Sequence, residues 1–163
     1  MKRPMVSAGL LMFRKKRDTV EVLLVHPGGP YFQNKEDGVW TIPKGEAGED
    51  EDLVSRARIE FEEELGVLPP VRKLIELGWA KQKAGKTVHA WAVEGDLKDD
   101  FSLRSNTFEI EWPPHSGKLA RFPEVDRAVF LPIDSARTKI NPAQRVFLDR
   151  LSDWLNSERQ NRI

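Results

Sequence analysis

Three glutamates, Glu60, Glu63 and Glu64, carry the chemistry this sequence offers most plainly. Their spacing of i, i+3, i+4 makes them neighbours on one side of an α-helix. On the same helical count Leu53, Val54, Ala57, Phe61 and Leu65 form an apolar stripe, and Glu60 and Glu64 lie at its edge. Like charges at i, i+4 cost a few tenths of a kcal/mol even in water, and partial burial raises that cost. Acidic runs on helices are usually solvated faces. Carboxylates crowded beside a buried stripe instead suit a hard divalent cation such as Mg²⁺ or Mn²⁺, which prefers oxygen ligands and keeps positions open for water and phosphate.

The helix that must present them is bounded by clear signals. Asp50 or Asp52 is the expected N-cap, Gly66 the stop, and Pro69-Pro70 confirm the break. Before it, Met5–Phe13, Val20–Val25 and Val39–Ile42 read as strands, separated by the polar Lys15–Asp18 turn and the breaker run His26-Pro27-Gly28-Gly29-Pro30. After it, Leu74–Gln82 and Val88–Val93 read as a hairpin around Ala84-Gly85, followed by strands at Phe108–Trp112 and Ala128–Leu131. A last helix is expected from Asn141-Pro142 to about Leu155, with a frayed tail from Ser157 to Ile163. This order predicts a mixed-sheet α/β fold in one domain spanning residues 1–163. Trp40, Trp79 and Trp91 fall within strands and read as core.

Composition excludes several classes. With no cysteine among 163 residues, disulfides, zinc–thiolate sites and thiol nucleophiles are ruled out. Lys+Arg and Asp+Glu each number 26, so no global charge favours nucleic acid or a membrane surface. The apolar run after Met1-Lys2-Arg3-Pro4 is short for a signal peptide, and no stretch approaches a membrane span. A cytoplasmic protein is expected.

The acidic helix belongs to a longer pattern. Gly45, five residues, Glu51, seven residues, Ile59-Glu60, Phe61, Glu62, Glu63-Glu64, Leu65, then Gly66-Val67 resembles the Nudix box, and every fixed position but one matches. The departure is Ile59, where the family has an arginine that helps hold the neighbouring carboxylate. Arg56, four residues before Glu60, is a candidate substitute, with Arg58 a weaker one. The resemblance implies a Nudix-type α/β/α sandwich with its catalytic helix at about 53–65. It implies a hydrolase that uses Mg²⁺ or Mn²⁺, held by Glu60, Glu63, Glu64 and the Gly45 carbonyl, to cleave a pyrophosphate bond in a small nucleotide or polyphosphate. It also admits a homodimer. The general base varies among members, so Glu64, Glu109 and Glu111 all stand as candidates, with Glu111 preferred outside the box.

The Trp-x-x-Pro-Lys-Gly entry, Trp40 to Gly45, resembles members acting on diadenosine or diphosphoinositol polyphosphates. A nucleoside triphosphate substrate and a catalytically weak nucleotide sensor stay open beside that reading. Lys44 would meet a polyphosphate as a point charge. Lys83 and His26 are further candidate substrate contacts, and Lys81, Lys86, Lys118 and Arg121 weaker ones. Trp112 is a candidate for stacking on a base, as are Tyr31, Phe32 and Phe122. The mixed polar and aromatic stretch Leu103–Pro114 is expected to form one wall of the cleft.

Overall fold

The computed structural model describes residues 5–161. Three strands lead into the acidic helix: β1 (Val6–Lys16), β2 (Thr19–Pro27) and β3 (Lys44–Glu46), then α1 (Leu53–Leu65). After the helix come β4 (Ile75–Lys81), β5 (Thr87–Glu94), β6 (Thr107–Glu111), β7 (Leu119–Pro123) and β8 (Val125–Pro132). The chain closes with α2 (Ile133–Lys139) and α3 (Arg145–Gln160). The main sheet is six-stranded, in the order β4-β5-β1-β2-β8 with β3 paired to β1. β1 runs parallel to β5 and antiparallel to β2 and β3, so the sheet is mixed.

Helices cover both faces, which is why β1 is a near-continuous apolar run and not an alternating one. On one face Ala8, Leu10 and Met12 pack with Ala57, Phe61 and Leu65 of α1. On the other, Leu11 and Phe13 pack with Trp40, with Ala136 of α2 and with Phe147, Leu148 and Leu151 of α3. The result is the expected α/β/α sandwich. Among the described residues no helix is long and apolar enough to cross a membrane.

Asp52 is the N-cap of α1: its side chain accepts from the Ser55 amide at 3.0 Å. Gly66 ends the helix in the left-handed region at φ 82°, and its amide donates to the Glu62 carbonyl. The Ala84-Gly85 turn also holds, with both residues at positive φ.

Several elements differ from expectation. Trp40 and Thr41 form only isolated bridges, to Ile140 and Val25, and the strand at this point is β3, beginning at Lys44. β7 and α2 carry weak sequence signals: β7 is five residues beside a Pro-rich turn, and α2 follows Pro132 without a side-chain cap. α3 continues to Gln160, beyond the expected end at Leu155, so residues 157–160 are helical; Arg162 and Ile163 lie outside the described residues. Trp40 is buried as expected, whereas Trp91 is only half-buried against the core and Trp79 is 47% exposed. β4 is an edge strand, and Trp79 lies tilted against His89 with ring centroids 4.4 Å apart.

Candidate active site

The α1 glutamates occupy the buried border that helical spacing requires. Glu60 and Glu64 are 9% and 6% exposed, and Glu63 is half-buried. β3 runs directly past them. Both Glu64 carboxylate oxygens lie within 3.4 Å of the Lys44 amide. The Glu60 carboxylate lies over the Cα of Gly45, so closely that a β-carbon there would collide with it. Only glycine fits that crossing of strand and helix.

Crowding and burial shape the protonation of these groups. Burial pushes the Glu64 carboxyl up to about 8, with Glu60 and Glu124 adding to the rise against the opposing Lys44 amide. Burial and the neighbouring Glu63 raise Glu60, opposed by Arg56. Carboxyls that hold protons this tightly are unfavourable as bare anions. A divalent cation is the partner that would make them stable when ionised. Among the described residues no three acidic or histidine side chains already close around an ion-sized point. Glu60 is instead turned to Arg56 at 3.2 Å and Glu64 to the Lys44 amide. The hard oxygen donors fit a hard divalent cation, in an arrangement that is open and not caged.

A fourth carboxylate, which sequence reasoning missed, comes from the β7–β8 junction. The last turn of a helix leaves carbonyls without intrahelical partners. Here the Glu63 carbonyl accepts from the Asn106 amide at 2.8 Å and the Leu65 carbonyl from Arg104 at 3.3 Å. The Asn106 carbonyl in turn accepts from the Glu124 amide at 2.8 Å, and the Glu124 carbonyl from Gly28 at 2.9 Å. This relay holds Glu124 beside the acidic face of α1. Burial and the charge on Glu63 push its carboxyl up as well. Its only sequence signal is its place between Pro123 and an apolar strand.

Glu111 does not join this group. β6 alternates, with Phe108 and Ile110 turned inward and Thr107, Glu109 and Glu111 outward. Glu109 pairs across the hairpin with Arg121 at 3.0 Å, and Glu111 is exposed on the same outward face. The phase of the strand thus turns Glu111 to the outer face that it shares with Glu109.

The candidate substrate contacts divide. Lys44, Lys83 and Lys86 line one cavity of about 570 Å³ together with Thr41, Gln82 and Asn141. Burial and the nearby Lys86 lower the proton affinity of Lys44, while Glu64 supports its charge. His26 is spent elsewhere. It is fully buried, with Nδ1 2.7 Å from Asp126 Oδ1 and Nε2 2.7 Å from the Lys35 carbonyl, and its ring meets Trp40 edge-on. Both ring nitrogens thus sit against oxygens of the protein itself, and neither is turned to a substrate. Trp112 packs edge-to-face on Tyr31 at 5.4 Å, joining the β6–β7 hairpin to the loop after β2. A larger cavity, about 640 Å³, opens at the far end of α1 around Leu68, Phe101 and Arg104, but Glu60, Glu63 and Glu64 do not line it.

The sequence profile of the NUDIX domain matches residues 3–151. Among curated protein sequences none matches this chain. Solved structures are similar in fold. An Ap4A hydrolase from C. elegans, in a binary complex, shares 22% identity at a TM-score of 0.66, covering 93% of this chain and 98% of that one. The NUDIX domain of Shewanella oneidensis NrtR, complexed with ADP ribose, shares 16% at 0.64, covering 95% and 90%. The MutT protein from Methanosarcina mazei Go1 shares 18% at 0.58, covering 94% and 96%. With the profile spanning nearly the whole chain and its acidic signature folded against Gly45, this protein belongs to the Nudix hydrolase family.

Proposed function

We propose that the chain hydrolyses a pyrophosphate bond in a dinucleoside polyphosphate such as diadenosine tetraphosphate, using Mg²⁺ or Mn²⁺. The observation that carries this reading is the cavity shared by Lys44, Lys83 and Lys86, next to the Glu64 carboxylate. Three lysines lining one cavity suit more phosphates than a single pyrophosphate presents. The C. elegans structure similar to this chain is named an Ap4A hydrolase, which supports the same substrate class.

In this reading Glu60, Glu63 and Glu64 hold the cation, which would neutralise phosphate oxygens and acidify an attacking water. Glu124 takes the proton of that water as its oxygen bonds to phosphorus. A carboxyl with raised proton affinity is the better proton acceptor for that task. The phosphorus–oxygen bond on the far side breaks, and the departing phosphate keeps the electron pair. Lys44 and its two neighbours hold that phosphate chain in place. Trp79, exposed at the edge of β4, and the aromatic pair Tyr31–Trp112 offer faces for a base.

The test is hydrolysis of a substrate series: diadenosine polyphosphates of increasing length, nucleoside triphosphates, diphosphoinositol polyphosphates and ADP-ribose. Highest kcat/KM on a diadenosine substrate of four or more phosphates is expected. Equal or better turnover of nucleoside triphosphates would replace this reading with a triphosphate pyrophosphohydrolase.

A further inference from the structure

The single departure from the family signature has a structural counterpart. Ile59 stands at the arginine position, on the outer side of α1, and is 41% exposed. Arg56 lies one turn earlier and is half-buried. Its Nε donates to both Glu51 oxygens at 3.0 Å and its Nη2 to Glu51 Oε2 at 2.6 Å. Its Nη1 donates to Glu60 Oε1 at 3.2 Å. Glu51 is fixed in turn by the Gly48 amide at 2.8 Å. One guanidinium thus ties the loop before α1 to the glutamate that lies over Gly45.

Residues four apart on a helix share a face, whereas residue 59 projects about 100° away from Glu60. An arginine at 56 therefore meets Glu60 from along the helix, through Oε1 alone. Its planar fork can hold two carboxylates at once, which a lysine cannot. The pairing holds Glu51 below the usual carboxylate range and opposes the rise at Glu60.

We propose that Arg56 is the positioning residue that compensates for Ile59, orienting Glu60 for the cation by tethering it to Glu51. This rests on the reading of Glu60 as a metal ligand.

The experiment is calorimetric titration of Mn²⁺ into the metal-free protein, without substrate, alongside thermal melts. The variants are Arg56→Ala, Arg56→Lys, and Arg56→Ala combined with Ile59→Arg. Mn²⁺ binding should weaken roughly tenfold or more in both single variants, as for loss of a ligand's outer support. Arg56→Lys keeps the charge and the fold, so its loss isolates the fork geometry. Adding Ile59→Arg to Arg56→Ala should recover most of the affinity. Wild-type affinity in folded Arg56→Ala and Arg56→Lys would overturn the proposal, as would a folded double variant with no recovery. A wild-type protein that binds no Mn²⁺ would overturn the metal reading itself, and this proposal with it.

Discussion

Single residues decide this site by contact and by phase. Gly45 is required because Glu60 occupies the space of its side chain. Gly45→Ala should therefore displace Glu60, cost about 1–3 kcal/mol by overpacking, and reduce activity more than stability; a melt and an assay on one preparation check both. Glu124→Gln should lower kcat by roughly 10²–10⁴-fold, the range for losing a general base. Glu111→Gln, an exposed change worth about 0.5 kcal/mol at most, should leave kcat within about twofold. The reverse order of these two variants would return the base to β6. The box glutamates were legible because helical spacing alone brings Glu60, Glu63 and Glu64 together. Glu124 was not, because only backbone hydrogen bonds through Asn106 bring it to α1. His26 misled for a related reason: a histidine in a Pro/Gly loop looks available until Asp126, one hundred residues on, takes one nitrogen and Lys35 the other.

Among the elements, two hairpins frame the site. The β4–β5 turn carries Lys83 and Lys86 toward Lys44, and its placement follows from Ala84 and Gly85 at positive φ. Lys86→Ala should raise KM for a long polyphosphate roughly 10- to 100-fold, as for a lost charged hydrogen bond of about 1.5–3 kcal/mol. Its kcat should change little, since binding lost equally in ground and transition states appears in KM. Steady-state kinetics on wild type and variant decide it. The β6–β7 hairpin lies outside the main sheet, yet it is fastened at both ends: Asn106 to α1, and Gly28 to Glu124. The aromatic and polar stretch before Pro113-Pro114 marked β6 in the sequence. Its partner β7 lacked such a mark, since Leu119–Pro123 is short and its inward residues are only Ala120 and Phe122.

At the scale of the whole molecule, the sheet is stable on two apolar faces while α1 carries an electrostatic cost. The mixed sheet was legible in the order of elements and the α/β/α layering came from the family resemblance; the structure accounts for the apolar run of β1, whose residues from Ala8 to Phe13 are all buried. The cost of the carboxylates is expressed in pH. Glu64 in the folded chain binds its proton more tightly than at the usual 4.5, up to about 8. Its stabilising contribution is thus full below 4.5 and is lost as pH rises through about 8. The metal-free protein should melt at progressively lower temperature between those values, and Glu64→Gln should flatten the trend. A wild-type melting temperature that does not fall over that window would contradict the assignment. Added Mn²⁺ should restore stability most at the alkaline end, where the carboxylates are free to bind it.

Cation-dependent carboxylate chemistry on a polyphosphate is tested most directly by the release of nucleotide products from diadenosine tetraphosphate. Wild type and Glu63→Gln would each be assayed with Mn²⁺, with Mg²⁺ and with chelator. Turnover by the wild type that requires the cation, and that falls at least about a hundredfold in a folded Glu63→Gln variant, is the predicted result. Turnover that survives chelation or the Glu63→Gln change would contradict the carboxylate chemistry. A folded wild type that binds the cation but turns over neither this nor any other pyrophosphate would contradict the enzyme.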